Sequence, residues 1–173
     1  MDTINLGKAD GLPLVDWSAI TNKLAAGSTP GPDDVNSRTT WLTTLNSDGS
    51  PHVTPVGAVF VDGSFWFQTG STRKATNLAG DTRCVLSVSI GGADIVVEGR
   101  ATRVTGHETL APVVHAWTKQ GWPAEVTSDG TAITAPFNAP AQGPAPWNVY
   151  RIDATSAVVG LTAEPGGLTR FRF

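Results

Sequence analysis

The chain has one cysteine, Cys84, so it forms no internal disulfide and builds no cysteine-rich metal site. Three histidines are present, His52, His107 and His115. The last two stand eight residues apart, unlike zincin ligands, and no acidic set completes a metal site around them. Charge is sparse: 16% of residues are charged, the formal net charge is -3, and no basic run exceeds the pair Arg73-Lys74. A nucleic-acid partner therefore lacks electrostatic support. No apolar run reaches membrane-spanning length, and the first 14 residues carry no apolar core of signal-peptide length. A soluble, cytoplasmic protein is the expectation. Gly-x-Ser-x-Gly, Gly-x-Gly-x-x-Gly and Walker motifs are all missing. Hydrolase, doubly wound NAD-binding and P-loop readings are thus unsupported.

What is there suits one domain of 173 residues, 40% hydrophobic, with a well-buried core. Residues 13–25 suit a helix: Asp16 can cap it, Trp17, Ile20 and Leu24 recur on one face, and Gly27 follows. Beyond a Pro/Gly-rich loop at 27–37 the period changes. Residues 38–46, 51–60 and 64–69 read as strands joined by turns at 47–50 and Asp62-Gly63, an antiparallel meander. A short helix at 72–79 follows. Strands come next at 83–90, where the apolar run suggests burial on both faces, and at 94–104. Residues 105–120 look helical, with Leu110, Val113, Val114 and Trp117 on one side. Residues 121–146 hold five prolines and no clear period, the mark of a functional lid, a binding loop or a poorly ordered segment. Strands at 147–152, 156–161 and 168–173 complete the chain. About eight strands, two or three helices and no repeating βαβ unit predict a mainly β fold, a closed or partly closed antiparallel barrel.

Residues 65–78 carry the most information. An aromatic strand, Phe65-Trp66-Phe67-Gln68-Thr69, breaks at Gly70-Ser71 into a helix that opens with Arg73 and Lys74. Two cations at the positive end of a helix macrodipole cost stability unless an anion lies there. Free amides at a helix N-terminus bind anions, so the corner predicts a phosphate, with an aromatic floor for a planar ring. The strand Pro51-His52-Val53-Thr54-Pro55-Val56-Gly57 breaks strand rules at Pro55 and Gly57, as an edge bulge or a flat ligand's approach would require.

The run 41–56, then Phe65-Trp66-Phe67 and Arg73-Lys74-Ala75-Thr76-Asn77-Leu78, resembles the pyridoxamine 5′-phosphate oxidase-like family. Val96-Val97-Glu98-Gly99-Arg100-Ala101 is similar to that family's fifth strand. The ending Thr169-Arg170-Phe171-Arg172-Phe173 resembles an actinobacterial subgroup. Likeness is good over 38–104 and slight over 1–30 and 107–146. It implies a split antiparallel β-barrel spanning 1–173, with the helix at 13–25 and a helix-plus-loop insertion at 106–146. It also implies a homodimer with a flavin or deazaflavin in each groove between subunits. Arg73 and Lys74 would hold the cofactor phosphate, with hydrogen bonds from Ser71 and Asn77. Thr54, Pro55, Val56 and Gly57 would line the ring, and Gln68 and Thr69 would edge it.

The family's true pyridoxamine phosphate oxidases carry Arg-x-x-Leu-Leu-Lys and Arg-Leu-His segments. Here those stretches read Arg38-Thr39-Thr40-Trp41-Leu42-Thr43 and Leu168-Thr169-Arg170-Phe171-Arg172. The missing Lys and His argue against that substrate, and the pattern looks more like deazaflavin-dependent reductases. Coenzyme F420 is the cofactor expected, with FMN the alternative. Hydride transfer to a small unsaturated substrate asks little of side chains, so no catalytic triad is expected. Trp122, Phe137 and Trp147 are candidates for a substrate wall or, equally, for core at a barrel end. Arg170 and Arg172 share a strand face and either reach an anion or form surface ion pairs. A flavin-binding protein without turnover and a haem-handling relative remain open readings. Cys84, in mid-strand, is expected to be inert core.

Overall fold

The computed structural model describes residues 1–27, 40–137 and 142–173. Alternation builds its central strands. In β7 (Ala93–Val104), Ala93, Ile95, Val97 and Ala101 are buried while Asp94, Val96, Glu98 and Arg100 are exposed. Its hairpin partner β6 (Arg83–Ile90) buries Cys84, Leu86 and Ile90 but leaves Val85, Ser87 and Val88 half-covered. The expected burial of β6 on both faces is therefore corrected. An antiparallel strand with one layer against it needs only one apolar face.

The longest strand, β10 (Asn148–Leu161), replaces the two expected at 147–152 and 156–161. A bulge between Ala154 and Ser156 bends it without interrupting the ladder to β7. Gly99 stands opposite, because the Asp153 carbonyl occupies the space a Cβ there would need. The other edge of β10 is shared between two strands. Residues Asn148, Val149, Tyr150 and Arg151 pair with β5 (Ser64–Thr69), whereas positions 156–161 pair with β11 (Gly167–Arg172). The sheet forks there.

The single strand expected at 51–60 is two. β3 (Pro51–Val56) pairs only with β2 (Thr40–Leu45), and β4 (Val59–Val61) pairs only with β5. The break falls at Gly57-Ala58, where Pro55 has no N–H to extend a ladder and the Gly57 carbonyl accepts from the Trp117 indole at 3.0 Å. The predicted meander is thus corrected, and so is the closed barrel. The nine-stranded antiparallel sheet has its outer strands at β1, β3 and β4 and does not close among the described residues. Positions 38–39 of the predicted first strand lie outside the described residues. An unforeseen strand, β1 (Asp2–Asn5), lies along β11, partly covered and too polar to stand out in the sequence.

Two apolar cores flank the sheet. The larger lies on one face, where α1 (Trp17–Ala26) contributes Ile20 and Leu24. Asp16 caps α1 by accepting from the Ser18 amide at 2.9 Å, and Gly27 ends it at φ 65°. The second core joins α3 (His107–Lys119) to Trp66 and Val149 on the opposite face of β5 and β10. The stretch 121–137 is not the structureless loop its composition suggests. It contains a small hairpin, β8 (Glu125–Val126) with β9 (Ile133–Thr134), and Ile133 exchanges backbone hydrogen bonds with Trp147. Cys84 is buried, and burial, aided by the Asp153 charge, pushes its thiol up to about 12, so it stays unreactive. Among the described residues no helix is long and apolar enough to cross a membrane.

Candidate functional site

After β5 the chain turns through Gly70, Ser71 and Thr72 into α2 (Arg73–Gly80). The Thr72 side chain makes no cap; its hydroxyl shares a 2.7 Å hydrogen bond with that of Thr69. The first helical bond runs from the Thr76 amide to the Thr72 carbonyl at 3.1 Å. Amides ahead of it in the first turn have no use within the helix and point toward whatever lies before it. Arg73 is exposed at this end, whereas Lys74 is only 2% exposed. Burial holds the Lys74 ammonium below the ordinary lysine range. Across the corner, Asp48 in the β2–β3 turn has its carboxyl held low, chiefly by the Ser50 hydroxyl and in a small part by the Arg73 charge.

Asn77 is committed elsewhere. Its amide nitrogen donates to Thr44 Oγ1 at 3.0 Å and to Asn46 Oδ1 at 3.2 Å, tying α2 to β2. Both amide hydrogens are thereby used, so any phosphate contact through them displaces a structural bond. Asn77 fixes the aim of the helix. Thr54 lies close by: on β3 it stands two residues, about 7 Å, beyond His52, the cross-strand partner of Thr44. Alternation places Thr54 and the buried Val56 on the core face with Leu42, and Pro55 on the outer face beside Trp41. A Cβ on Gly57 would meet nothing within 4 Å, so open space adjoins its backbone. Thr54, Val56 and Gly57 thus follow the edge strand β3 away from the Thr44–Asn77 contact, with Pro55 turned outward.

Gln68 shares its face of β5 with Trp66, under the α3 module, while Thr69 continues the face of Phe65 and Phe67. Gln68 is buried and its Oε1 has no hydrogen-bond partner among the described residues. The same holds for Gln142. Gln142 begins a strap that the sequence did not announce. Its carbonyl accepts from the Gly70 amide at 2.9 Å, and the Gly143 carbonyl accepts from the Trp147 indole at 2.9 Å. Gly70 has no room for a side chain: a Cβ would stand 2.8 Å from the Gln142 carbonyl oxygen and 2.9 Å from that of Pro144. Residues 142–147 therefore clamp the turn that opens α2. Sequence gave no signal for this beyond a glycine in each partner.

Of the wall candidates, Trp147 is fully buried, with the Trp122 ring 5.3 Å away; Trp122 is half-buried and sits edge-on to Trp117 at 5.7 Å. Phe137 is 54% exposed, and its carbonyl accepts from the Trp122 indole at 3.4 Å. Arg170 is not brought to the corner within one chain. It pairs with Val158 on the far half of β10, and Arg172 pairs with Ser156 there.

An anionic cofactor with a flat ring fits what is present. The corner brings a guanidinium and an ammonium to a helix N-terminus for a phosphate, and open space adjoins the Gly57 backbone.

The comparisons agree with this architecture. The profile of the family described as pyridoxamine 5′-phosphate oxidase matches residues 35–146, and the chain belongs to that family. Membership supports a flavin-dependent, oxidoreductase-like function in general terms. A search of curated proteins finds no match. Among solved structures, a conserved hypothetical protein of Mycobacterium tuberculosis is 22% identical, with 83% of each chain covered and a TM-score of 0.57. A pyridoxamine 5′-phosphate oxidase-related, FMN-binding protein of Nostoc punctiforme is 17% identical over 91% of each chain, TM-score 0.56. A FAD-binding protein of Mesorhizobium loti is 18% identical, covering 93% of this chain and 98% of its own, TM-score 0.55. At these identities the likeness shows the fold.

Proposed function

We propose an oxidoreductase that holds a phosphate-bearing deazaflavin, coenzyme F420, at the corner between β5 and α2 and reduces a small unsaturated substrate. The observation that carries it is an α-helix that opens on Arg73 and Lys74 without a side-chain cap, so that two cations stand at the positive end of its dipole. When bound, the cofactor supplies the hydride chemistry. The chain's own part is binding and aim: Arg73 offers a planar fork to phosphate, Lys74 a point charge, and Ser71 a hydroxyl. Asn77 and the 142–147 strap hold the helix and its turn in place. Absence of the oxidase-type Lys and His segments supports F420. FMN is the second reading, supported by the family and by the FMN-binding relative. Absorbance of the purified protein, then titration of the apo-protein with each cofactor, separates the two. Tight FMN binding with none of F420 overturns the first choice.

Affinity should also depend on pH through Lys74. Its ammonium, needed for phosphate, is held below the ordinary lysine value of 10.5 by burial. A lysine with a lowered pKa loses its charge earlier as pH rises, so cofactor binding is present below that pKa and weakens through it. Dissociation constants measured from pH 7 upward should climb before 10.5, and Lys74→Met should flatten the curve. A flat profile in the unmodified protein would remove Lys74 from the site.

The groove is proposed to be completed by a second copy. Trp41 (44% exposed), Val53 (55%) and Val96 (37%) lie on the outer face of β2, β3 and β7. Register puts Pro55, Trp41, Ser87, Val96 and Val158 in one row across the sheet. An exposed band of apolar side chains on a water-facing sheet, interrupted here only by Ser87, supports an interface. Light scattering should report a dimer at micromolar concentration, and Trp41→Glu should give a monomer that binds cofactor about tenfold or more weakly. A native monomer with undiminished binding would refute the shared groove.

A further inference from the structure

The fork in the sheet is not filled. β5 leaves β10 after Arg151, β11 joins it at Ser156, and between them Ile152 and Ala154 face a cavity of about 290 Å³. Its walls include Trp17 from α1, Phe60 and Phe65 from the β4–β5 hairpin, and Phe173 at the end of β11. These rings hold one another at set angles. Phe60 meets Phe65 edge-on at 5.0 Å, and Trp17 lies 4.9 Å from Phe171 and 5.1 Å from Phe173. The Phe173 amide is anchored on the Thr155 carbonyl at 3.0 Å. No lining side chain is charged. The small side chain of Ala154, next to the bulge, leaves the space open.

We propose that this cavity is a binding site for a neutral, flat, bicyclic aromatic molecule, distinct from the cofactor corner. Uncharged walls cannot compensate a ligand charge taken out of water, so the occupant is neutral. Aromatic walls set at angles favour a flat ring that meets them by edge and face. Size gives the ring count: a dry apolar cavity of about 150 Å³ takes benzene, so roughly twice that takes two fused rings. Ser64, one of the lining residues, stands five residues or about 17 Å along β5 from Thr69 and the corner, so both sites can be filled together.

The test uses 5-fluoroindole and the full-length protein, followed by fluorine NMR and thermal unfolding. Saturable line broadening is expected, with a rise in Tm of about 3–5 °C at ten times the Kd. Ala154→Phe fills the space and should weaken binding at least about tenfold while leaving the cofactor Kd within about twofold of the unmodified protein. Because a large ring at 154 strains the bulge, Phe60→Leu serves as a second variant: it removes one wall and should weaken binding about fivefold. Lack of saturable binding, equal binding by both variants, or binding of n-octanol in preference to 5-fluoroindole overturns the proposal.

Discussion

Arg73→Ala is expected to raise the cofactor dissociation constant about ten- to a hundredfold, because a charge-assisted hydrogen bond to phosphate contributes roughly 1.5–3 kcal/mol. The same change should leave the apo-protein as stable or a few tenths of a kcal/mol more so. Arg73 is exposed at the positive end of α2, and a cation there opposes the macrodipole. Opposite signs for apo stability and ligand affinity distinguish a binding residue from a structural one. Arg73→Lys should fall between, keeping the charge but losing the two-pronged geometry. Titration calorimetry and thermal melts of the three proteins check this, and an unchanged Kd for Arg73→Ala takes the phosphate away from this corner.

The second large effect concerns the strap. Trp147 is fully buried between the α3 core and the turn that opens α2, and its indole bonds the Gly143 carbonyl at 2.9 Å. Trp147→Ala should destabilise the fold by about 3–5 kcal/mol through the cavity it leaves. For a domain of this size that lowers Tm by about 10 °C or somewhat more. Trp147→Phe keeps most of the bulk and removes only the indole donor, at about 1 kcal/mol. Because the strap presses on Gly70, that milder variant should also loosen the phosphate turn and weaken cofactor binding several-fold with the fold intact. Circular dichroism melts with cofactor titration read both effects. A melting point within about 2 °C of the native value for Trp147→Ala would show the strap to be ornamental.

Period-two and helical-face patterns carried most of the elements. The cap at Asp16, the stripe Leu110, Val113 and Trp117, and the alternation of β7 were all legible, since each depends on neighbours within a few residues. What the pattern misread was pairing. The 51–60 stretch looks continuous because nothing in a one-dimensional pattern tells which edge of a strand finds a partner; the Pro55 and Gly57 break decides it only once β4 turns to β5. The two halves of β10 looked separate because a bulge mimics a turn in hydrophobic pattern. At the site, Arg73 and Lys74 could be read from their conflict with the helix dipole, an oddity that sequence displays. The commitment of Asn77 to Thr44 and Asn46 could not, because those partners lie more than thirty residues away.

The sequence by itself determined the class of fold, the helix that opens on two cations, and the family that shares this order of motifs. Those depend on local periodicity and on the chemistry of adjacent residues. Only the tertiary structure decided that the sheet forks along β10 and, among the described residues, does not close, that residues 142–147 clamp Gly70, and that an apolar cavity stands in the fork. Each of these arises where segments distant in the chain compete for the same edge or the same volume, and packing settles that competition in three dimensions.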